Sequence, residues 1–259
     1  MRYLLLVSFL VSAAYAQSPV VASGGVVNGA NYSSAVAPGS IAAVFGTDLA
    51  SGLSAADTVP LSTTLGDVQS VTFNGVAAPM DFVSSGQINV QVPWSVGAGT
   101  ATIVVTRTSG ASSPQQVTVA TMSPGIFSVD ASGKGQALAI NNADGSIAAP
   151  SNSIQGIATH PAKVGDALIL YANGLGPVDP PVEDGHDSTD QLRKTVNTPI
   201  VTVGNVQAQV LFSGLSPQFP GVNQINIVVP SGVPTGDAVP LQIQLGGVTT
   251  TASLTIAIQ

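Results

Sequence analysis

Two nearly identical nonapeptides constrain the fold of this chain more than any other feature. "GQINVQVPW" spans residues 86–94, and "NQINIVVPS" spans residues 223–231. Each follows two longer blocks that occur in the same order in both halves of the chain. These blocks cover residues 36–49 and 71–83 in the first half, and residues 162–175 and 201–212 in the second. Matching blocks in the same order indicate an internal duplication, so we expect two modules of the same fold.

The nonapeptides alternate between aliphatic and amide side chains with a period of two, which is typical of a β-strand with one buried face. The alternating amides are Gln87, Asn89 and Gln91 in the first copy and Gln224 and Asn226 in the second. Val228 takes the place of the third amide. Proline cannot donate to a sheet ladder, so Pro93 and Pro230 are expected to end both strands.

Turn signals between apolar runs extend this β pattern along the chain. Asn74-Gly75 and Gly204-Asn205 are two-residue hairpin signals, because both turn positions require positive φ. Further strands are expected at residues 100–106, 115–120, 136–141, 239–245 and 253–258. No segment shows sustained helical periodicity. The sequence therefore predicts an all-β fold of two tandem immunoglobulin-like antiparallel β-sandwich modules.

The domain organisation follows from the repeat boundaries. We expect a signal peptide at residues 1–16, an N-terminal tail at 17–23, a first module at 24–128 and a second at 129–259. The second module carries an acidic insertion loop at residues 176–196. The leader "MRYLLLVSFLVSAAYA" has one basic residue, a short apolar stretch and an A-x-A site, so cleavage after Ala16 is expected. No later stretch reaches the roughly 20 apolar residues that span a bilayer.

Composition excludes several classes of function. Only 7% of the residues are charged and the net charge is −7, so a nucleic-acid surface with clustered Lys and Arg is not expected. The chain has no Cys, which excludes disulfides, zinc–thiolate sites and a Cys nucleophile. We therefore expect a secreted or cell-envelope protein of bacterial type that is stabilised by core packing.

Several ordered motifs together carry a family resemblance. They are "VVNGANYSSAVAPGSIAAVFGTDLA", "VTFNGVAAPMDFVSSGQINVQVPW", "SPGIFS", "GKGQALAINNADGS" and "LYANGLGPVDPPV". From about Gly24 onward the chain resembles the Solibacter-type C-terminal domain family of secreted acidobacterial modules, usually found at the end of larger extracellular proteins. The resemblance implies an extracellular β-rich module and no reaction. This chain departs from the family pattern because the module directly follows the expected signal peptide.

Two interpretations of the amides remain open. They form the solvent face of a half-exposed strand or tie down a neighbouring loop, or they form a polar ladder for a sugar or a partner strand. Trp94 follows a proline at a strand end and is a further ligand candidate. The last strand has no charge and no proline, so Ser253 and Thr255 would face a partner if that strand were an open edge.

The search for reactive groups yields little catalytic signal. His160 and His186 are the two histidines, and neither accompanies a G-x-S-x-G elbow. The insertion loop concentrates five carboxylates, which form either a solvated loop or a site for Ca²⁺, a cation that prefers oxygen ligands. They are Asp179, Glu183, Asp184, Asp187 and Asp190. No other cofactor is expected.

The sequence therefore predicts a non-catalytic module. The leading hypothesis is interaction or assembly with extracellular or envelope proteins, including further copies of this chain. The first alternative is carbohydrate binding, which the low aromatic content of 5% does not favour. The second alternative is a secreted hydrolase with an unrecognised site.

Overall fold

The computed structural model describes residues 17–250 and 253–259, and all of the regular elements in these ranges are β-strands. The strands of the first half are β1 (Val20–Asn28), β2 (Ala35–Val36), β3 (Ile41–Thr47), β4 (Ser54–Ala55), β5 (Val68–Phe73), β6 (Val76–Ala77), β7 (Met80–Val83), β8 (Gln87–Gln91), β9 (Gly99–Arg107), β10 (Gly110–Ala111) and β11 (Gln115–Val119). The strands of the second half are β12 (Gly125–Ile126), β13 (Gly135–Gln136), β14 (Ala139–Asn141), β15 (Ala167–Asn173), β16 (Val178–Asp179), β17 (Lys194–Thr195), β18 (Ile200–Val203), β19 (Val206–Leu215), β20 (Asn223–Val228), β21 (Gly236–Leu245), β22 (Val248–Thr249) and β23 (Leu254–Ile258). No helix in the described ranges is long and apolar enough to cross a membrane. The predicted signal peptide lies outside the described residues and stays a prediction.

The first module is a sandwich of two sheets around an aliphatic core. One sheet has the strand order β1-β3-β8-β7-β4, and the other has the order β2-β11-β9-β5-β6. Val44, Ile88 and Ile103 meet between the sheets and are fully buried. Because side chains alternate along β8, burial of Ile88 turns Gln87 and Asn89 to the outer face.

The second module has the same architecture, with its two sheets joined through one long strand. Its strand order is β12-β15-β20-β19-β18-β21-β23-β13. The first part of β19 pairs with β18 and the rest pairs with β20, so β19 belongs to both sheets. Leu168, Ile225 and Leu241 are fully buried in its core. The predicted pair of immunoglobulin-like β-sandwiches is confirmed, although the short β2–β11 and β13–β23 pairs are parallel.

Strand register confirms the internal duplication. Ala43 in β3 lies opposite Asn89 in β8, and Ile169 in β15 lies opposite Asn226 in β20. The short parallel pairs β2–β11 and β13–β23 also correspond between the modules. The repeated sequence blocks therefore occupy repeated positions in the two sandwiches.

Both predicted two-residue hairpins are present. Asn74 and Gly75 have φ values of 51° and 84°, and they connect β5 to β6. Gly204 and Asn205 have φ values of 55° and 67°, and they connect β18 to β19. Glycine and asparagine tolerate this left-handed region better than other residues, which is why these dipeptides predict the turns correctly.

The predicted boundaries need two corrections. Residues 20–23 are not a tail, because Val20 and Val21 already pair with β3. Residues 125–126 belong to the second module, since β12 pairs with β15, so the first module ends before residue 125 and not at 128. β12 has only two residues, and the pairing of β1 with β3 is interrupted between Val21 and Val26, so neither segment shows a continuous alternating pattern in the sequence.

The last strand is not an open edge, so the condition under which Ser253 and Thr255 would face a partner is not met. β21 pairs with one side of β23, and the other side bonds to β13 and to residues of the two connections that flank β14. The Gly135 N–H donates to the Ser253 carbonyl (2.7 Å), and the Ala137 N–H donates to the Thr255 carbonyl (2.9 Å). The backbones of Ser253 and Thr255 are therefore hydrogen-bonded within the second sandwich, so a partner strand would find no unpaired backbone groups at this edge.

Buried asparagines join the two modules. Asn173, at the end of β15, accepts the Ile41 N–H through Oδ1 (2.8 Å) and donates through Nδ2 to Ile41 O (2.8 Å) and Asn28 Oδ1 (2.9 Å). Asn28 in turn donates to the carbonyl of Ser123 in the connection between the modules (2.7 Å). Asn28 and Asn173 are both fully buried, so a satisfied polar network fixes one module against the other.

The second module uses the equivalent asparagine within itself. Asn28 lies opposite Ala42 in β3, and Asn141 lies opposite Leu168 in β15, at the matching register position. The Asn141 Nδ2 donates to Asp166 Oδ2 (3.2 Å), an acceptor from its own module. The asparagine at this equivalent position thus makes an inter-module contact in the first copy and an internal contact in the second.

Candidate functional site

A groove of about 280 Å³ lies between the modules. One wall is the outer face of the β1-β3-β8-β7-β4 sheet, and the other wall comes from loops of the second module. The lining residues are Gly29, Tyr32, Ile41, Ala43, Asp81, Gln87, Asn89, Phe127, Ala131, Phe219, Pro220 and Val222. Both modules contribute, so the asparagine network described above sets the shape of this groove.

An amide pair on β8 forms the polar floor of the groove. The Gln87 Nε2 donates to Asn89 Oδ1 (2.8 Å), and both side chains are half-buried. This bond uses one donor and one acceptor, and the remaining donors and acceptors of the two amides stay available to a ligand. Both residues are ligand candidates from the sequence repeat, and the structure places them together in the groove.

Aromatic rings surround this floor. The Tyr32 and Phe45 ring centroids lie 6.0 Å apart, and the Tyr32 hydroxyl donates to the Ala131 carbonyl of the second module (2.5 Å). The Phe219 ring remains 49% exposed and packs edge-on against Tyr171 at 5.9 Å. Rings that are held by neighbours and still exposed offer a ligand apolar contact area with little loss of freedom.

The aromatic residues are unusually distributed in this protein. Nine Phe, Tyr and Trp residues occur from Gln17 onward, all within the described ranges, and Phe73 is the one that is fully buried. The cores consist of Val, Ile, Leu and Ala instead. The low aromatic content therefore understates how many rings are available at the surface, which the composition alone does not reveal.

Asp81 adds the one charged side chain that lines the groove among the described residues. It is the inserted residue of a β-bulge between Met80 and Phe82, and bulges re-aim a side chain out of the regular alternation. Desolvation raises the pKa of the Asp81 carboxyl above its usual range, although the residue is exposed at the rim. Among residues 17–250 and 253–259, no Lys, Arg or His lines the groove, so its chemistry favours a neutral ligand over an anion.

Replacing Asp81 by Asn is expected to stabilise the protein by at most about 1 kcal/mol at neutral pH. A raised pKa means that the folded state disfavours the ionised carboxylate, so the neutral amide removes that cost above the folded pKa. The gain should vanish below pH 3.8, where the carboxyl is protonated in both states. Thermal unfolding at neutral pH and below pH 3.8 measures this gain in stability, with exposed Asp57→Asn as the control. A lower stability of Asp81→Asn at neutral pH would contradict the raised pKa.

Gln91, the third amide of the repeat, does not face the groove. It is fully buried, donates through Nε2 to Gly39 O (3.3 Å) and accepts the Gly185 N–H through Oε1 (2.6 Å). It therefore ties the insertion loop to the first module, as one of the two interpretations of the amides proposed. The second copy has Val228 at the equivalent position, where no side-chain amide is available to bond a loop.

Trp94 lies outside the groove. A Cβ at Gly39 would come within 2.2 Å of its ring, so the indole packs directly on that backbone. The Trp94 N–H donates to Asp184 Oδ1 (2.8 Å), while its buried indole Nε1 makes no hydrogen bond among the described residues. These contacts give Trp94 a role in holding the insertion loop.

Four of the five carboxylates of the insertion loop contact different residues. Asp190 forms a two-pronged ion pair with Arg193 (2.6 and 3.0 Å), which lowers the pKa of its carboxyl. Asp187 accepts from the backbone and hydroxyl of Thr189, and Glu183 faces His186 at 3.6 Å. Asp184 holds Trp94 as described, and Asp179 lies in β16. Within residues 17–250 and 253–259, no three His, Cys, Asp or Glu side chains are grouped to hold a metal ion.

The two histidines make contacts of a structural kind. The His160 ring contacts Asp144 Oδ2 through Nε2 (2.7 Å) and the Pro161 carbonyl through Nδ1 (2.9 Å). These two acceptors, the carbonyl first, raise the pKa of the imidazole. Both ring nitrogens thus face acceptors, and neither contact involves a hydroxyl that could serve as a nucleophile.

Comparison with known proteins gives no family assignment. No family model and no curated protein matches the chain. It is similar to a Bacteroides ovatus SGBP-B of a mixed-linkage glucan utilization locus, in complex with a heptasaccharide (12% identity, 95% of this chain, 46% of the other, TM-score 0.39). It is also similar to an SGBP-B of a complex xyloglucan utilization locus of Bacteroides uniformis (12% identity, 93% of this chain, 49% of the other, TM-score 0.27). A third similar structure is the titin I9–I11 tandem (12% identity, 94% of this chain, 67% of the other, TM-score 0.23).

This chain spans less than half the length of both Bacteroides proteins. All three TM-scores lie below 0.5. The candidate function therefore rests on the residues of the groove and not on these similarities.

Proposed function

We propose that this protein is a secreted, non-catalytic carbohydrate-binding protein whose ligand occupies the groove between the modules. One observation carries the proposal: exposed rings of both modules surround the Gln87–Asn89 amide pair in a groove that no cationic side chain of the described part of the chain lines. Sugars present apolar C–H faces that stack on aromatic rings and hydroxyls that bond to amides, so this combination of groups fits them. Membership of the Solibacter-type C-terminal domain family is part of the same proposal.

The geometry favours a sugar over the alternatives from the sequence. A protein partner that adds a strand at β23 is not supported, because that edge is already paired. A hydrolase is not supported by the contacts of His160 and His186, which go to carboxylates and a carbonyl. A typical ligand site is a concave region with a few well-placed polar groups, and the groove has this character.

The test is calorimetric titration of the protein with a panel of neutral α- and β-linked oligosaccharides. Phe219→Ala is expected to weaken binding about 10-fold or more, since an aromatic anchor in a binding site contributes on this scale. The variant should keep the wild-type melting temperature, because the Phe219 ring is half exposed. Leu53→Ala, an exposed apolar residue outside the groove, is the matched control.

Two outcomes would reject the proposal. One is that no neutral glycan of the panel binds to the wild-type protein, while pull-down experiments retain a protein partner. The other is that glycan binding is unchanged in Phe219→Ala and in a Gln87→Ala/Asn89→Ala double variant.

A further inference from the structure

The second module repeats the amide-and-aromatic face of the first. Gln224 Nε2 donates to Asn226 Oδ1 (2.9 Å), as Gln87 donates to Asn89 (2.8 Å). Residues 224 and 226 alternate with fully buried Ile225 and are half-buried themselves, so their side chains face outward from the β15–β20 sheet. An outward amide pair thus exists in both copies.

Aromatic residues accompany both pairs at matching register positions. Phe45 in β3 lies opposite Gln87, and Tyr171 in β15 lies opposite Gln224. The neighbouring strand on the other side supplies a Phe opposite each Asn: Phe82 opposite Asn89, and Phe212 opposite Asn226. Two rings flank each pair, although most other outward positions differ between the copies.

The β-bulges are repeated as well. The bulge in β7 inserts Asp81 directly before Phe82, and the bulge in β19 inserts Leu211 directly before Phe212. Leu211 is 55% exposed. The second face, defined as Tyr171, Leu211, Phe212, Gln224 and Asn226, therefore carries no charge and replaces a carboxylate with an apolar side chain.

Phe219 connects the second face to the groove. Its ring lines the groove beside Gln87 and Asn89, and it meets Tyr171 edge-on with centroids 5.9 Å apart. Tyr171 is in turn the cross-strand neighbour of Gln224. Phe219 therefore links the groove to Tyr171, the residue that lies beside the second amide pair.

We infer that the second face is a second sugar subsite, and that one neutral oligosaccharide runs from the groove past Phe219 onto it. The inference rests on the proposed function of the groove. A chain bound at two adjoining subsites gains affinity because the second contact is intramolecular. A short oligosaccharide reaches the groove alone, whereas a longer one reaches both subsites.

The experiment compares a disaccharide or trisaccharide with longer oligomers of the same neutral glycan by calorimetry. In the wild-type protein, affinity is expected to rise about 10-fold or more with chain length. Gln224→Ala/Asn226→Ala should remove this rise and leave affinity for the short ligand unchanged. Gln224→Glu, which keeps the size of the side chain, should reduce the rise, and Gln207→Ala, on the exposed part of β19, is the matched control.

Failure of the subsite and failure of the groove give different results. If the Gln224 and Asn226 variants are folded and bind the longer oligomer as tightly as the wild type, the second subsite is wrong and the groove proposal stands. If Gln87→Ala/Asn89→Ala keeps full affinity for the short ligand, the groove proposal fails, and the extended path fails with it.

Discussion

Replacing Asn173 by aspartate is expected to lower the free energy of unfolding by about 3–5 kcal/mol at neutral pH. The amide nitrogen of Asn173 donates to Ile41 O and Asn28 Oδ1 in a fully buried position. A carboxylate of the same shape would bring a negative oxygen against these two acceptors. Removal of a buried donor and addition of an unpaired buried charge both carry large costs.

Urea denaturation monitored by circular dichroism measures this loss. Asn142→Asp makes the same chemical change at an exposed neighbour of Asn141 and should cost less than about 0.5 kcal/mol. Burial raises the pKa of the introduced carboxyl, so part of the lost stability should return as the pH falls and the group is protonated. Equal losses in the two variants would show that the asparagine network does not hold the modules together.

Gly174→Ala is expected to destabilise the protein by about 3 kcal/mol or more. Gly174 has a φ of +71°, and a Cβ there would lie 2.1 Å from the Ser123 carbonyl oxygen. The Gly174 carbonyl accepts the Ser123 N–H (2.8 Å), so the connection between the modules cannot move away without losing that hydrogen bond. Backbone strain alone costs about 1 kcal/mol, and the steric clash adds to it.

Gly145→Ala separates these two contributions. Gly145 has a similar φ of +75°, but a Cβ there meets no atom within 4 Å. It should therefore show the strain alone, about 1 kcal/mol. Thermal unfolding of both variants measures the difference, and a Gly174→Ala protein as stable as Gly145→Ala would contradict the close approach of Ser123.

Local sequence patterns predicted the parts of the fold that depend on local rules. The alternation around Gln87 and Asn89 and the Asn74-Gly75 turn depend on backbone geometry within a few residues, and both predictions are confirmed. The sequence left open whether β23 is an edge strand, because its second partner, β13, is more than 100 residues away and pairs through only two residues. No local pattern reports such a contact.

The sequence predicted only part of the candidate site, because the other part depends on contacts between distant segments. Gln87 and Asn89 were identified from the repeat, but Phe219 and Tyr32 come from separate loops, and only the docking of the modules brings them to the amides. The signal available in the sequence was the alignment of "MDFV" with "VLFS", which places Phe82 and Phe212 at equivalent positions. Its meaning depends on the strand register, which the structure supplies.

The hydrogen bond between Asn141 and Asp166 affects whether a third module could stack on the second in the same way. The two modules are stacked head to tail, a geometry that in general extends into an open filament when each unit offers the same two surfaces. Ser40 precedes β3 in the first module, and Asp166 precedes β15 at the equivalent position of the second module. A third copy stacked in the same way would cover that carboxylate, at a desolvation cost of several kcal/mol. The change from serine to aspartate at this one position therefore disfavours a third copy stacked in the same way.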